Sequence, residues 1–140
     1  MPLAFYVAYK SKFSYMNSKQ VMNHAADNIR ILAASMVEKA KSGHPGGAMG
    51  GADFINVLYA EYLQYDPQNP KWEGRDRFFL DPGHMSPMLY SQLALIGKFT
   101  LDELKQLRQW GSPTPGHPEV DVMRGIETLL VHWDRDTYSL

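Results

Sequence analysis

Apolar residues recur at helical spacing in the first third of the chain. Residues three or four positions apart form one apolar row: Ala25, Ile29, Leu32 and Met36. Such a row predicts a helix that buries a single face. Asn17 and Gln20 have the spacing of a capping box, which predicts the start of this helix. We expect the helix to run to about Lys41, because glycine and proline in the segment 42–45 oppose its continuation.

A second apolar row predicts another helix over residues 52–65. Phe54, Leu58 and Tyr62 lie four residues apart, as neighbours on one helical face do. The glycine-rich stretch 46–51 separates the two helices. After the second helix, two X-Pro pairs in the segment 66–70 predict a turn, since proline pushes the preceding residue out of the helical region.

Short elements and turns fill the second half of the chain. The apolar run 77–80 (RFFL) predicts one buried strand, and residues 87–96 predict a helix. Thr100 and Glu103 form another capping-box pattern, which opens a short helix predicted to end near residue 109. Three prolines and three glycines dominate residues 111–125. An irregular segment of this length is more typical of a functional loop than of a plain connection.

Composition narrows the class of partner. With 14 Lys and Arg against 15 Asp and Glu, the net charge of −1 gives no electrostatic reason to expect nucleic acid or a membrane surface as a partner. The absence of cysteine excludes disulfides, cysteine-bound metal centres and thiol nucleophiles. It also fits a reducing compartment, so we expect a cytoplasmic protein. The near-neutral charge favours small molecules or protein as partners.

Residues 1–15 are expected to be an N-terminal extension outside the fold. Their apolar run is too short and too interrupted to span a membrane, and it lacks the long apolar centre of a signal peptide. Met16 follows directly and begins a segment with good helix-start residues. An upstream start codon would therefore account for the extension, with residues 16–127 forming the fold. The alternative is a native terminal tail.

Three histidines each follow a glycine in a turn that contains proline: His44, His84 and His117. Glycine permits close approach of a ligand to the backbone and proline stiffens the turn, so each imidazole is presented rather than packed. Neutral imidazole can accept a proton or donate a hydrogen bond near pH 7, which suits sugar hydroxyls or phosphate oxygens. A single Gly-His pair is usually only part of a turn, but three Gly-His pairs favour a shared cleft.

A three-histidine zinc site is a rival interpretation of the same residues. The histidines are 40 and 33 residues apart, so they form no local ligand pair. An acidic residue suited to act as a general base does not stand beside any of them. The spacing therefore disfavours a zinc hydrolase.

The segments around these histidines resemble those of transketolases. In order, the segments are KSGHPGG at 41–47, RDRFFL at 75–80 leading into Gly83 and His84, and TPGHPE at 114–119. The similarity begins near Ala25 and continues to Glu127, and it includes DPQNP at 66–70 and LRQ at 107–109. A lone Gly-His-Pro would be weak support, whereas the ordered set is specific.

The resemblance implies roles for four residues. His44 would contact substrate oxygens and assist proton transfer at the reacting carbon, and His117 would be a second substrate contact. His84, with Gly83, would approach the diphosphate of thiamine diphosphate, an anion that needs hydrogen-bond donors. Residues 81–82 (DP) depart from the Ser-Asn or Ser-Lys usual before that Gly-His pair, but the pair itself is retained.

The resemblance also implies the parent fold and chemistry. The fold would be α/β, a partial thiamine diphosphate-binding fold with a parallel sheet and flanking helices, of which this piece is mostly helical with few strands. The implied activity is transfer of a two-carbon ketol unit between sugar phosphates in the pentose phosphate pathway, by a homodimer with thiamine diphosphate and Mg²⁺ or Ca²⁺. The family's metal ligands fall beyond the similar region, so no metal ligand is expected in this chain.

Residues 128–140 do not continue the resemblance. Transketolases proceed after the position of Glu127 through Gly-Pro-Leu-Gly-Gln-Gly, whereas this chain reads TLLVHWDRD. Loss of one nucleotide from codons for Asn-Thr-Ser-Gly-Pro-Leu-Gly-Gln-Gly-His yields that same string, so an out-of-frame tail is expected. A genuinely divergent tail is the alternative. The rival functional prediction is accordingly a truncated, inactive fragment without cofactor binding of its own.

Overall fold

The computed structural model describes residues 19–127, in which short helices pack against one long helix. The α-helices are α1 Lys19–Ala40, α2 Pro45–Gly50, α3 Ala52–Val57, α4 Ser86–Leu95 and α5 Leu101–Leu104. A π-helix at Leu58–Tyr62 continues α3, and 3₁₀ helices cover Gly83–Met85 and Val122–Arg124. Within residues 19–127 there is no strand, and an isolated antiparallel bridge joins Asp121 to Ile126. None of the described helices is long and apolar enough to cross a membrane.

The long helix α1 confirms the first apolar row. Its buried side chains follow the helical period: Ala26, Ile29, Ala33, Met36 and Val37. The helix ends at Ala40, and the chain reverses through Lys41 and Gly43, whose φ angles are 51° and 116°. The expected cap at Asn17 lies outside the described residues. Helices α2, α3 and α4 all contact α1, so this helix organises the core.

Helix α4 is the most deeply buried element of the described chain. Every residue from 86 to 93 is buried, which confirms the predicted helix within a residue or so at each end. A helix that is apolar on all sides needs neighbours on all sides. Here α1 and α3 supply two of them, and the segment 114–118 packs on it as well.

The glycine-rich stretch forms a helix rather than a linker. Helix α2 begins at Pro45, whose fixed φ suits the first helical position and whose missing N–H is not needed there. Ala48 is completely buried, so packing offsets the low helix propensity of its glycine neighbours. The small residues bring α2 close to the 3₁₀ helix, since a Cβ at Gly47 would lie 3.0 Å from the Met85 side chain.

Two adjacent glycines in this stretch are expected to respond oppositely to alanine. A Cβ at Gly50 meets open space, so Gly50→Ala should raise the free energy of unfolding by up to about 1 kcal/mol. A Cβ at Gly51 would overlap the Met88 sulfur, so Gly51→Ala should lower the free energy of unfolding by about 1–3 kcal/mol. Urea unfolding of both variants measures the difference. Equal midpoints for the two would contradict this packing of α3 on α4.

The second apolar row lies on a helix but does not face the core. Phe54 and Tyr62 are 62% and 69% exposed, while Ile55, Asn56 and Tyr59 are buried. The amide of Asn56 donates to the backbone oxygen of Met22 on α1 at 3.0 Å. Contact with α1 therefore selects the buried face, and the π-helix ends the element at Tyr62, earlier than the predicted residue 65.

The predicted strand at residues 77–80 is wrong for the described chain. The segment is irregular, although Leu80 is buried and the Phe78 ring lies 5.9 Å from that of Tyr59. A strand requires a neighbour that takes its backbone hydrogen bonds. Residues 19–127 contain no strand that can do so. The predicted burial holds only for Leu80, since Phe78 is half-buried and Phe79 is 62% exposed.

The second capping box is present. Thr100 Oγ1 accepts a hydrogen bond from the backbone N–H of Glu103 at 3.2 Å, and Glu103 Oε2 accepts one from the N–H of Thr100 at 2.8 Å. The α-helix stops at Leu104 and continues as turns, so it is shorter than predicted. Residues 111–125 are irregular as expected, apart from the single 3₁₀ turn at Val122–Arg124.

Candidate functional site

His44 lies at the junction between α1 and α2. It is the N-cap residue of α2, with an extended backbone of φ −125° and ψ 114°. Its imidazole makes no capping hydrogen bond to the helix and is exposed. The side chain is thus not used to end a helix, which agrees with the expectation that the turn presents it.

His84 lies in the 3₁₀ helix that leads into α4. Gly83 is buried and His84 is exposed, so the backbone is packed while the imidazole reaches solvent. The N–H of Met85 donates to the oxygen of Pro82 at 2.8 Å, which fixes this turn. Gly83 and His84, which are expected near the diphosphate, therefore belong to one hydrogen-bonded turn that leads into α4.

His117 lies in the segment 114–118, which is fastened at several points. Thr114 is fully buried and its hydroxyl donates to the oxygen of Glu103 at 3.1 Å. The Tyr90 hydroxyl donates to the oxygen of Pro115 at 2.9 Å. Burial, followed by the nearby Glu119, raises the pKa of Tyr90 above its ordinary range. The loop is long in sequence but strongly constrained.

The three histidine-bearing segments meet through their immediate neighbours. The Ser86 hydroxyl, two residues after His84, donates to the oxygen of Gly116 at 2.7 Å, next to His117. Gly47 of α2 lies against Met85, as described above. These contacts bring the three segments next to one another.

Arg108 is a residue of this region to which sequence reasoning assigned no role. Its Nη1 donates to the hydroxyl of Ser42 at 2.7 Å, across 66 positions of sequence. Its own N–H donates to the oxygen of Thr114 at 3.0 Å. Arg108 and Ser42 both stand inside the family-like segments, but no local pattern showed that they touch.

Glu103 contacts the same loop through its backbone oxygen, which accepts from Thr114, and through its carboxylate, which pairs with Arg124. Its pKa is held below the usual range, first by the hydrogen bond from the Thr100 backbone and then by Arg124, whose Nη1 lies 2.8 Å from Glu103 Oε1. The carboxylate is therefore ionised at neutral pH and joins α5 to the 3₁₀ turn that follows the loop. The guanidinium of Arg124 also lies 4.7 Å from the centre of the Phe99 ring.

The imidazoles suit an anion, and they are not grouped as a metal site within residues 19–127. Imidazole N–H groups, such as that of His84, can donate to phosphate oxygens. Mg²⁺ and Ca²⁺ need several oxygen ligands, and zinc needs three or four clustered ligands such as imidazole nitrogens. No group of three or more His, Asp or Glu side chains in residues 19–127 is placed to hold a metal ion. The rival zinc site built from the three histidines therefore finds no support in this part of the chain.

Comparison with known proteins assigns the family. Residues 21–130 match the family model described as the transketolase, thiamine diphosphate binding domain. The chain is 52% identical over 104 residues to transketolase 1 of Escherichia coli, and 50% identical over 109 residues to the chloroplastic transketolase-1 of Arabidopsis thaliana. These alignments cover 74% and 76% of this chain.

Solved structures agree with the sequence comparisons. Transketolase from Leishmania mexicana superposes with a TM-score of 0.71 at 45% identity, over 75% of this chain and 16% of that chain. A Pichia stipitis transketolase solved with sedoheptulose 7-phosphate gives a TM-score of 0.71 at 42% identity, again over 75% of this chain and 16% of that one. The chain therefore belongs to the transketolase family, within its thiamine diphosphate binding domain. It spans about 16% of the length of the Escherichia coli relative.

Proposed function

We propose that this chain supplies the substrate-facing and diphosphate-facing turns of a transketolase that moves a two-carbon ketol unit from a ketose phosphate to an aldose phosphate. The observation that carries the proposal is the joining of three Gly-His turns around α4 by Ser86, Gly116 and Arg108. Turns held in one place can orient a sugar phosphate, which is how positioning lowers a reaction barrier.

Each histidine has a distinct part in this proposal. His44 contacts sugar oxygens and moves a proton at the reacting carbon, and His117 holds a second oxygen of the sugar. His84, on the turn that begins with Gly83, donates to the diphosphate of thiamine diphosphate. Thiamine diphosphate, when bound, supplies the thiazolium ring that carries the transferred unit.

The remaining features of the parent enzyme are also proposals for this chain. They are an α/β fold with a parallel sheet and flanking helices, a homodimer, Mg²⁺ or Ca²⁺ at the diphosphate, a cytoplasmic location and a place in the pentose phosphate pathway. Sugar phosphates are the proposed partners, and nucleic acid and membranes are not. The described residues supply neither a metal-binding group nor a strand of the sheet, so these would come from other parts of the enzyme.

The alternative function is that of a catalytically inactive fragment. It is favoured by the lack of a group of metal-binding side chains within residues 19–127. On this view the family relationship is real, but the 140-residue chain neither binds thiamine diphosphate nor turns over substrate. Both proposals assign residues 16–127 to the partial domain, with 1–15 as an extension and 128–140 as an out-of-frame tail. Reading the nucleotides around codon 128 tests the tail, and an intact frame there would reject it.

Two protein samples test the function. The first is the 140-residue chain, for which we expect no turnover of a ketose phosphate with added thiamine diphosphate and Mg²⁺. The second is a chimera in which residues 25–127 replace the corresponding segment of the Escherichia coli enzyme, and we expect it to be active because the two segments are about half identical. A folded, dimeric chimera without turnover would reject the proposed function, whereas turnover by the isolated chain would reject the inactive alternative.

A further inference from the structure

The side chain of Arg108 lies against both the turn before His44 and the turn before His117. Its Nη1 donates to Ser42 Oγ at 2.7 Å on the first turn. A Cβ built on Gly43 would lie 3.7 Å from the guanidinium carbon, and one built on Gly116 would lie 2.9 Å from Nε. The guanidinium therefore fills the space between two glycines that each precede a candidate histidine.

The backbone of Arg108 shows that this placement is imposed by its surroundings. Its φ is 62°, in the left-handed region that a side chain such as arginine rarely adopts. Such a conformation persists where neighbouring contacts determine it, and it is concentrated at functional sites. Here the hydrogen bond from its N–H to Thr114 fixes the backbone, and that of the guanidinium to Ser42 fixes the side chain.

We propose that Arg108 is a positioning residue that couples the turn of His44 to the turn of His117. The inference rests on the proposed function, in which His44 and His117 act on the same sugar phosphate. The guanidinium of Arg108 would then set the spacing of the two imidazoles. Arginine suits this task, since its planar, permanently charged group offers donors in a fixed arrangement. Lysine would keep the charge but lose the fixed geometry.

The glycines at 43 and 116 are required for different reasons. A side chain at 116 would displace Nε of Arg108, although the backbone there does not have a positive φ. Gly116 is therefore required by contact with Arg108 rather than by its own backbone. Gly43, with φ 116°, is required by its backbone conformation, since a Cβ there would make only ordinary van der Waals contact with Val37 and Arg108.

Cross-loop NMR shifts in the 140-residue chain test the coupling without requiring activity. Ser42→Ala is expected to shift the imidazole Cε1–H signal of His117, and Gly116→Ala that of His44, because each change moves the guanidinium that faces the other turn. In an Arg108→Ala background both cross-loop effects should vanish, which is the signature of coupling through that residue. Lys105→Ala, on a neighbouring exposed pair with Asp102, is the control and should shift neither histidine.

Kinetics of the chimera provide the second arm. Arg108→Ala and Arg108→Lys should each lower kcat about 10- to 100-fold with a smaller change in KM, since misplacement of catalytic groups by about 1 Å costs that much. Lys105→Ala should retain the parent kcat. If Arg108→Ala does not fold, the shifts caused by Ser42→Ala and Gly116→Ala in the parent chain decide the question.

The outcomes separate this inference from the proposed function. A chimera that is inactive with Arg108 intact rejects the function, while the NMR experiment still reports on the coupling. An active chimera whose Arg108→Ala variant keeps kcat within about twofold of the parent overturns the positioning role. Absence of both cross-loop shifts overturns the coupling itself.

Discussion

Substitution of His44 by glutamine in the chimera is expected to lower kcat about 100- to 10,000-fold, the range that general acid–base catalysis contributes. Glutamine can still donate and accept hydrogen bonds, but it cannot take up and release a proton near neutral pH. The substrate should therefore still bind, and the loss should fall on kcat rather than KM. Steady-state rates with a ketose phosphate donor and an aldose phosphate acceptor measure both.

Two further histidine variants serve as comparisons for His44→Gln. His117→Gln should raise KM more than it lowers kcat, because its proposed part is to hold a sugar oxygen. His24→Gln changes an exposed histidine of α1 and should leave both constants near the parent values. The backbone oxygen of His24, which accepts a hydrogen bond from Asn28, is retained in this variant. Equal kinetics for the variants at 44 and 24 would remove His44 from the proposed chemistry.

The ion pair between Arg75 and Glu127, which is largely but not fully buried, carries the largest stability prediction. Nε and Nη2 of Arg75 both lie 2.7 Å from Glu127 Oε1, and the two side chains are only 11% and 12% exposed. Arg75→Met leaves the carboxylate of Glu127 buried without its counter-ion. We expect the free energy of unfolding to fall by about 3–5 kcal/mol, enough to unfold a marginally stable domain.

Urea unfolding of three variants isolates this effect. The double variant Arg75→Met with Glu127→Leu should recover most of the loss, since an apolar pair can replace a buried ion pair at little cost. Arg30→Met removes two more exposed pairs, with Asp27 and Asp53, and should cost no more than about 1 kcal/mol. A loss for Arg75→Met no greater than that for Arg30→Met would contradict the burial of this pair.

Local patterns predicted several elements of the fold because those elements depend on neighbours in sequence. The apolar row on α1 and the capping box at Thr100 and Glu103 are governed by contacts within a few residues, and both are present. Helix α4 was found for the same reason. The Gly-His turns were also visible as motifs, since glycine and proline restrict the backbone locally whatever surrounds them.

Packing decided what local patterns could not. The stretch 46–51 has a composition that opposes a helix, yet burial of Ala48 and a proline at the first position make α2 helical. The run 77–80 has the composition of a strand, but no pairing neighbour lies within residues 19–127. In α3, contact of Asn56 with α1 leaves Phe54 on the outside.

The sequence by itself determined the family, the long helix and the three turns that carry the candidate histidines. The tertiary structure decided how those turns are joined, through Ser86 to Gly116 and through Arg108 to Ser42. The physical reason is distance along the chain: these partners are 30 and 66 residues apart. A hydrogen bond between such positions exists only after the helices between them have packed, so no local pattern records it.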